Sequence, residues 1–215
     1  MPQLRSPRIW GTFPAAGGVG TTTLTLHLAQ LGARSGARVL LVESDLRAPL
    51  REILGGEPPF WEEYRTETPI THEAMPRPMG IGFALLTRRS LTEVTPELFA
   101  HVIESARQNF DLILCDNLTF TYPNMSALVV VENALPSLIG LNSITSLHNP
   151  KIAVINKVKS RGRKNIAIEG FMRDMQIFKV AKSTELKLGL GLGVARKLGK
   201  KNSQVFGEIL KEMLT

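Results

Sequence analysis

Ala16-Gly17-Gly18-Val19-Gly20-Thr21-Thr22-Thr23 joins an apolar run, residues 8–13, to a segment with helical spacing, residues 21–35. Leu24, Leu28 and Leu31 fall on one stripe of that segment, and Gly36 stands where a helix stop is expected. A glycine-rich turn between a strand and a helix can point its backbone N–H groups inward. At a helix N-terminus such groups cradle the oxygens of a phosphate.

Outward from that turn, apolar runs alternate with helical patterns. Strands are expected at 8–13, 37–43, 81–87, 110–116, 127–132, 151–156 and 176–180. The run 37–43 (ARVLLVE) is apolar throughout, as in a parallel strand covered on both faces. Helices are expected at 21–35, 97–109, 137–147, near 167–175 and at 203–214, with a short one after Pro49. Thr95 is a fitting N-cap and Pro96 a fitting first helical residue. Strands separated by helices imply right-handed crossovers and a mostly parallel sheet with helices on both faces. The expected architecture is α/β in a single domain, 1–215.

Composition agrees. The chain has 215 residues, 43% hydrophobic and 21% charged, which suits one folded core rather than disorder. No run approaches the roughly 18 apolar residues of a membrane span. The first 14 residues lack the apolar core of a secretory leader, so a cytoplasmic location is expected. One cysteine, Cys115, excludes an internal disulfide and a four-cysteine metal site, and its apolar strand marks it as core. No pair among His27, His72, His101 and His148 has metal-ligand spacing.

Beyond the turn itself, three further stretches carry a resemblance. These are Val39-Leu40-Leu41-Val42-Glu43-Ser44-Asp45, Phe110-Asp111-Leu112-Ile113-Leu114-Cys115-Asp116 and Val154-Ile155-Asn156-Lys157. With the loop they look like the MinD/ParA family of deviant-Walker P-loop ATPases, the SIMIBI type, over nearly the whole chain. The resemblance implies a P-loop NTPase-like fold and a nucleotide site for ATP or ADP with Mg²⁺. It places the nucleotide on Gly17, Gly18, Val19, Gly20, Thr21, Thr22 and Thr23, with Asn156 facing the adenine. It places Mg²⁺ beside Thr22, Glu43 and Asp116, and makes Asp45 the residue that positions the attacking water. It implies a homodimer, and a protein partner in a positioning or secretion machine, with partition and pilus-assembly (TadZ/CpaE-like) proteins as the analogues.

The family's loop reads Lys-Gly-Gly-Val-Gly-Lys-Thr-Thr, and here Ala16 and Thr21 replace both lysines. Every lysine of the chain follows Pro150, so no shift of register recovers one. Removing one positioned donor of developing charge costs about 10²–10³ in rate. Loss of two cations points to hydrolysis that is slow or absent. Three readings of the loop stay open: ATP or ADP bound without useful turnover, a structural relic, or an active ATPase with a substitute cation such as Arg47. A degenerate site also leaves open a nucleotide-free DNA-binding or interaction module.

Single residues carry alternatives as well. Asp45 also suits a strand-end carboxylate capping the turn through Leu46 and Arg47. Glu43 also suits a buried partner for an arginine, and Asn156 a turn former. Phe60, Trp61 and Tyr64, in an acidic stretch, read as packing on the sheet edge or as a partner surface.

Charge is unevenly spread. Residues 1–150 carry a net −3 and residues 151–215 a net +10, giving +7 overall. Such asymmetry suggests a surface that meets a polyanion, nucleic acid or an acidic lipid face, or else a solvated basic face with no partner. Lys157, Lys159, Arg161, Arg163, Lys164, Arg196, Lys197, Lys200 and Lys201 are the candidates for binding DNA through its phosphates. The helix 203–214 has apolar i, i+4 spacing but only Lys211 against Glu208 and Glu212. It lacks the basic polar face of an interfacial helix, so docking on the core is expected.

Overall fold

In the computed structural model, residues 8–45, 47, 49–54, 60, 70–71, 82–88, 95–118, 120, 122–158, 166–183 and 198–215 are described. Seven strands form one sheet: β1 (Arg8–Pro14), β2 (Val39–Glu43), β3 (Ala84–Leu86), β4 (Leu112–Asp116), β5 (Ser126–Val131), β6 (Ile152–Val158) and β7 (Gln176–Ala181). Their order is β3-β2-β4-β1-β5-β6-β7, and every pair is parallel. Among the described residues the helices are α1 (Thr21–Arg34), α2 (Pro49–Leu54), α3 (Pro96–Ala106), α4 (Leu135–His148), α5 (Ile166–Gly170) and α6 (Lys200–Leu214).

The sheet is apolar on both sides because both are covered. On one face α1 and α6 bury Leu24, Leu28, Phe206, Ile209 and Met213 against Trp10, Leu41, Leu114 and Val130. On the other, α3 packs Phe99, Val102 and Ile103 onto Phe13, Leu40 and Ile113. Leu141 of α4 and Ile168 of α5 cover Val129, Ala153 and Ile155 there. Fully burying one such side chain stabilises by about 1.5–3 kcal/mol, so these layers set the fold. The Trp10 indole donates to the Met213 carbonyl at 3.1 Å, fixing the docked α6 to the central strand.

Local signals hold at several ends. The Thr95 hydroxyl accepts from the Leu98 N–H at 3.2 Å, with Pro96 opening α3. Gly36 has φ 93 and follows Ser35, the C-cap of α1. Four expectations are corrected. The helix near 167–175 is only α5, which ends at Gly170 in a turn. The strand over 81–87 contracts to β3. β6 runs two residues beyond Asn156. Lys200 and Lys201 are not in a loop but open α6, ahead of the start expected at 203. Trp61, Tyr64, Lys159, Arg161, Arg163, Lys164, Arg196 and Lys197 lie outside the described residues. No helix among the described residues is long and apolar enough to cross a membrane.

Candidate nucleotide site

β1 lies at the centre of the sheet, with β4 on one side and β5 on the other. The chain leaves β1 toward β2 on one side, and the later strands fill the other. The crevice at the strand C-termini beside such a reversal is where open α/β sheets bind ligands. The glycine turn occupies it. Ala15 still donates to the Val130 carbonyl at 2.9 Å, and the Leu24 N–H donates to the Gly20 carbonyl as α1 begins. Gly20 is the N-cap at φ 94, without a side-chain cap, and the first turn of α1 has no acidic residue. The early N–H groups of a helix have no intrahelical partner, so this end favours an anion.

Gly20 is required for a second reason. A Cβ there would sit 2.5 Å from Asn156 Nδ2. That amide donates to the Val19 carbonyl at 2.8 Å, and its oxygen accepts from the Lys157 N–H at 2.8 Å. Asn156 is therefore bonded to the back of the loop rather than turned to open solvent.

Under the loop lies Asp116, fully buried at the end of β4. Thr22 Oγ1 donates to it at 2.8 Å and Thr25 Oγ1 is 3.0 Å away, with Thr12 Oγ1 at 3.4 Å. Burial pushes its carboxyl up to about 6, and the threonine hydroxyls oppose that rise. Asn117, at φ 53, donates to both Thr22 Oγ1 (3.1 Å) and Asp45 Oδ2 (2.9 Å). Arg47 closes the chain on Asp45 through Nη2 at 2.8 Å and Nε at 3.1 Å, and its backbone N–H caps Asp45 Oδ1 at 2.9 Å. The Arg47 side chain, first of all, holds the Asp45 carboxyl below its ordinary range. Asp45 thus caps the turn that carries Arg47.

Glu43 is engaged at one oxygen, while its Oε2 is buried without a hydrogen-bond partner. Its Oε1 accepts from the Leu50 and Arg51 N–H groups at the start of α2. Burial pushes its carboxyl up to about 7 against those N–H donors. Of the replaced lysine positions, Thr21 is buried with an unpartnered Oγ1, and Ala16 is half-buried. Thr23 is half-buried on α1. Lys157 is half-buried. Its Nζ donates to the Gly18 carbonyl at 2.5 Å and pairs with Glu132 at 3.0 Å. Lys200 and Lys201 are exposed at the far end of α6 from the chain's last helical residue.

Sequence reasoning missed Thr12, Thr25, Asn117 and Glu132. Thr25 sits one turn beyond Thr21 on the same helix, a spacing that was readable; the others converge only through the sheet. Arg88 was missed as well. It is buried beside β2 and donates to the Ser44 carbonyl at 3.2 Å.

The donor set fits a nucleotide with Mg²⁺. The helix end is uncapped, Thr21 Oγ1 is orphaned, and a hydroxyl and a carboxylate lie 2.8 Å apart beneath the loop. Mg²⁺ takes hard oxygen ligands and is usually bound by one or two carboxylates together with substrate phosphates. No group of three or more His, Cys, Asp or Glu among the described residues would hold a metal by itself.

The match to known proteins agrees with this geometry. The family model of the CobQ/CobB/MinD/ParA nucleotide binding domain matches residues 14–187. MinD of Aquifex aeolicus, solved as a MinC:MinD complex, superposes with a TM-score of 0.75 at 20% identity, covering 96% of this chain and 96% of that one. MinD of Pyrococcus horikoshii complexed with Mg-ADP gives 0.74 at 19% identity, covering 96% and 95%. A variant of Cyanothece McdA in complex with ATP gives 0.74 at 16% identity, covering 97% of each. No curated protein matches by sequence. The chain belongs to the CobQ/CobB/MinD/ParA nucleotide-binding family.

Proposed function

We propose that this protein holds ATP or ADP with Mg²⁺ on residues 17–23 and acts as a positioning or scaffold factor, with hydrolysis slow or absent. The observation that carries the reading is the Thr22–Asp116 pair at 2.8 Å beneath an uncapped helix end whose loop has no lysine. Thr22 and Asp116 would hold Mg²⁺, which would offset the charge of the phosphates. The loop amides of Gly17, Gly18, Val19 and Gly20 would orient the phosphate chain. Glu43, held through Oε1 at the start of α2, would support the metal from beside Asp116.

Turnover is a separate matter. Phosphoryl transfer depends on positioned positive charge around the equatorial oxygens. Ala16 and Thr21 supply none, and Arg47 is engaged on Asp45. Asp45 would be the residue that orients water, and it is held at both oxygens. The reading therefore separates holding from cleaving.

Calorimetry with Mg-ATP and Mg-ADP, beside a phosphate-release assay, tests it. Binding with turnover far below that of an active ATPase is expected. No heat at high protein concentration sinks the holding claim, and rapid release abolished by Asp45→Ala sinks the non-hydrolytic one. A homodimer, and a partner within a partition or pilus-assembly machine, go with this reading. So does DNA contact through the basic C-terminal part. Lys200 and Lys201, exposed at the start of α6, support it. Retention of unrelated duplexes that fades with salt is the expected gel-shift result; no retention at low salt removes the DNA contact.

A further inference from the structure

Lys157 stands at φ 57, a left-handed conformation that a β-strand residue other than glycine rarely adopts. The pairing of β6 with β7 shifts register between Ile155 and Val158, so Lys157 lies in a bulge. Bulges occur beside functional sites and re-aim a side chain. Here the re-aimed ammonium crosses to the phosphate loop, reaching the Gly18 carbonyl at 2.5 Å. Glu132, at the end of β5, holds it from the other side at 3.0 Å. The neighbouring Asn156 amide binds the next loop carbonyl, that of Val19. Two successive residues of β6 thus tie down two successive carbonyls of a loop that lacks its own lysine.

We propose that Lys157 is the positioning cation of the phosphate loop, supplied from β6 in place of the lysine the loop has lost. It keeps the Gly17–Gly20 amides facing the site and, from behind the loop, adds its charge to the field that favours a bound phosphate chain, while the Gly18 carbonyl and Glu132 keep the ammonium from the transferring phosphate. The second half of this role rests on the nucleotide reading; the first does not.

The experiment compares wild type, Lys157→Gln and Lys157→Arg by amide hydrogen exchange at residues 17–20 without ligand, then by calorimetry with Mg-ADP at several salt concentrations. A hydrogen bond from a charged donor is expected to give about tenfold faster exchange when removed in Lys157→Gln, with Lys157→Arg close to wild type. Mg-ADP affinity is expected to fall about tenfold in Lys157→Gln and to depend less steeply on salt, since one cation no longer answers the phosphates. Glu132→Gln keeps the Gly18 contact and is expected to lie between the two. Equal loop exchange in wild type and Lys157→Gln overturns the proposal. If wild type takes up no Mg-ADP, the nucleotide reading fails and the exchange comparison still decides the positioning role.

Discussion

Gly140, in the middle of α4, lies against the backbone carbonyl of Ala15: a Cβ on Gly140 would stand 1.7 Å from that oxygen. Ala15 is the residue where β1 turns into the phosphate loop, so α4 sets the height of the loop's first strand bond. Gly140→Ala forces the helix or the loop to move, because the obstructing atom is backbone. Overpacking of this kind typically costs about 1–3 kcal/mol. The expected result is a lowered denaturation midpoint together with weaker Mg-ADP binding. A variant with unchanged stability and affinity shows that α4 does not fix the loop.

Arg47 is expected to matter for chemistry more than for stability. Its side chain is 82% exposed, and exposed ion pairs contribute about 0–1 kcal/mol. Arg47→Ala should leave the midpoint nearly unchanged while the Asp45 carboxyl rises toward its ordinary range, as read by NMR titration. If the grip on Asp45 restrains water positioning, phosphate release rises in the variant. An unmoved Asp45 titration contradicts the assigned pairing.

Much of this site was legible because its signals are local. The glycine turn, the threonines behind it and the strand-end carboxylates Asp45 and Asp116 are set by chain order and by strand and helix periodicity. The same holds for Thr95 and Pro96 at α3. What was not legible depends on crossings through the sheet. Lys157 looked like part of a basic run, since nothing in Val154–Val158 announces a bulge or a positive φ. Glu43 was placed beside the metal by the resemblance alone; that one of its oxygens accepts from the start of α2 could not be read before α2 was in place. The register of a strand is readable from pattern, but the direction of a side chain at its end is set by what packs there.

His27 gives a pH dependence. It is buried on α1, its ring and that of Phe206 meeting edge to face with centroids 5.7 Å apart, and burial, then the charge of Arg34, lowers its pKa from 6.5 to about 4. Above 6.5 both folded and unfolded states leave it neutral and nothing is lost. Below 6.5 the unfolded chain binds a proton that the folded one refuses, so stability falls with pH and levels off near 4. The full loss is about 3 kcal/mol. His27→Leu should flatten this part of a stability profile measured by denaturant unfolding. An equal acid slope in the variant assigns the effect to other groups.

Thr22 and Asp116 decide whether the site is a metal site. The hydroxyl donates at 2.8 Å to a carboxylate that is fully buried and already pushed up to about 6. Thr22→Val keeps the shape and removes that donor. Leaving a buried acceptor short of a partner costs about 1–3 kcal/mol, so the midpoint should fall modestly, cushioned by the Thr25 hydroxyl at 3.0 Å. The larger effect is expected on binding. Nucleotide affinity in the presence of Mg²⁺ should drop to the value seen with a chelator, while the chelator value itself stays put, because the loop amides remain. That convergence is specific to a lost metal ligand, since a variant that merely loosened the loop would weaken both. If Thr22→Val still binds more tightly with Mg²⁺ than without it, to the same degree as wild type, the metal is held by other oxygens.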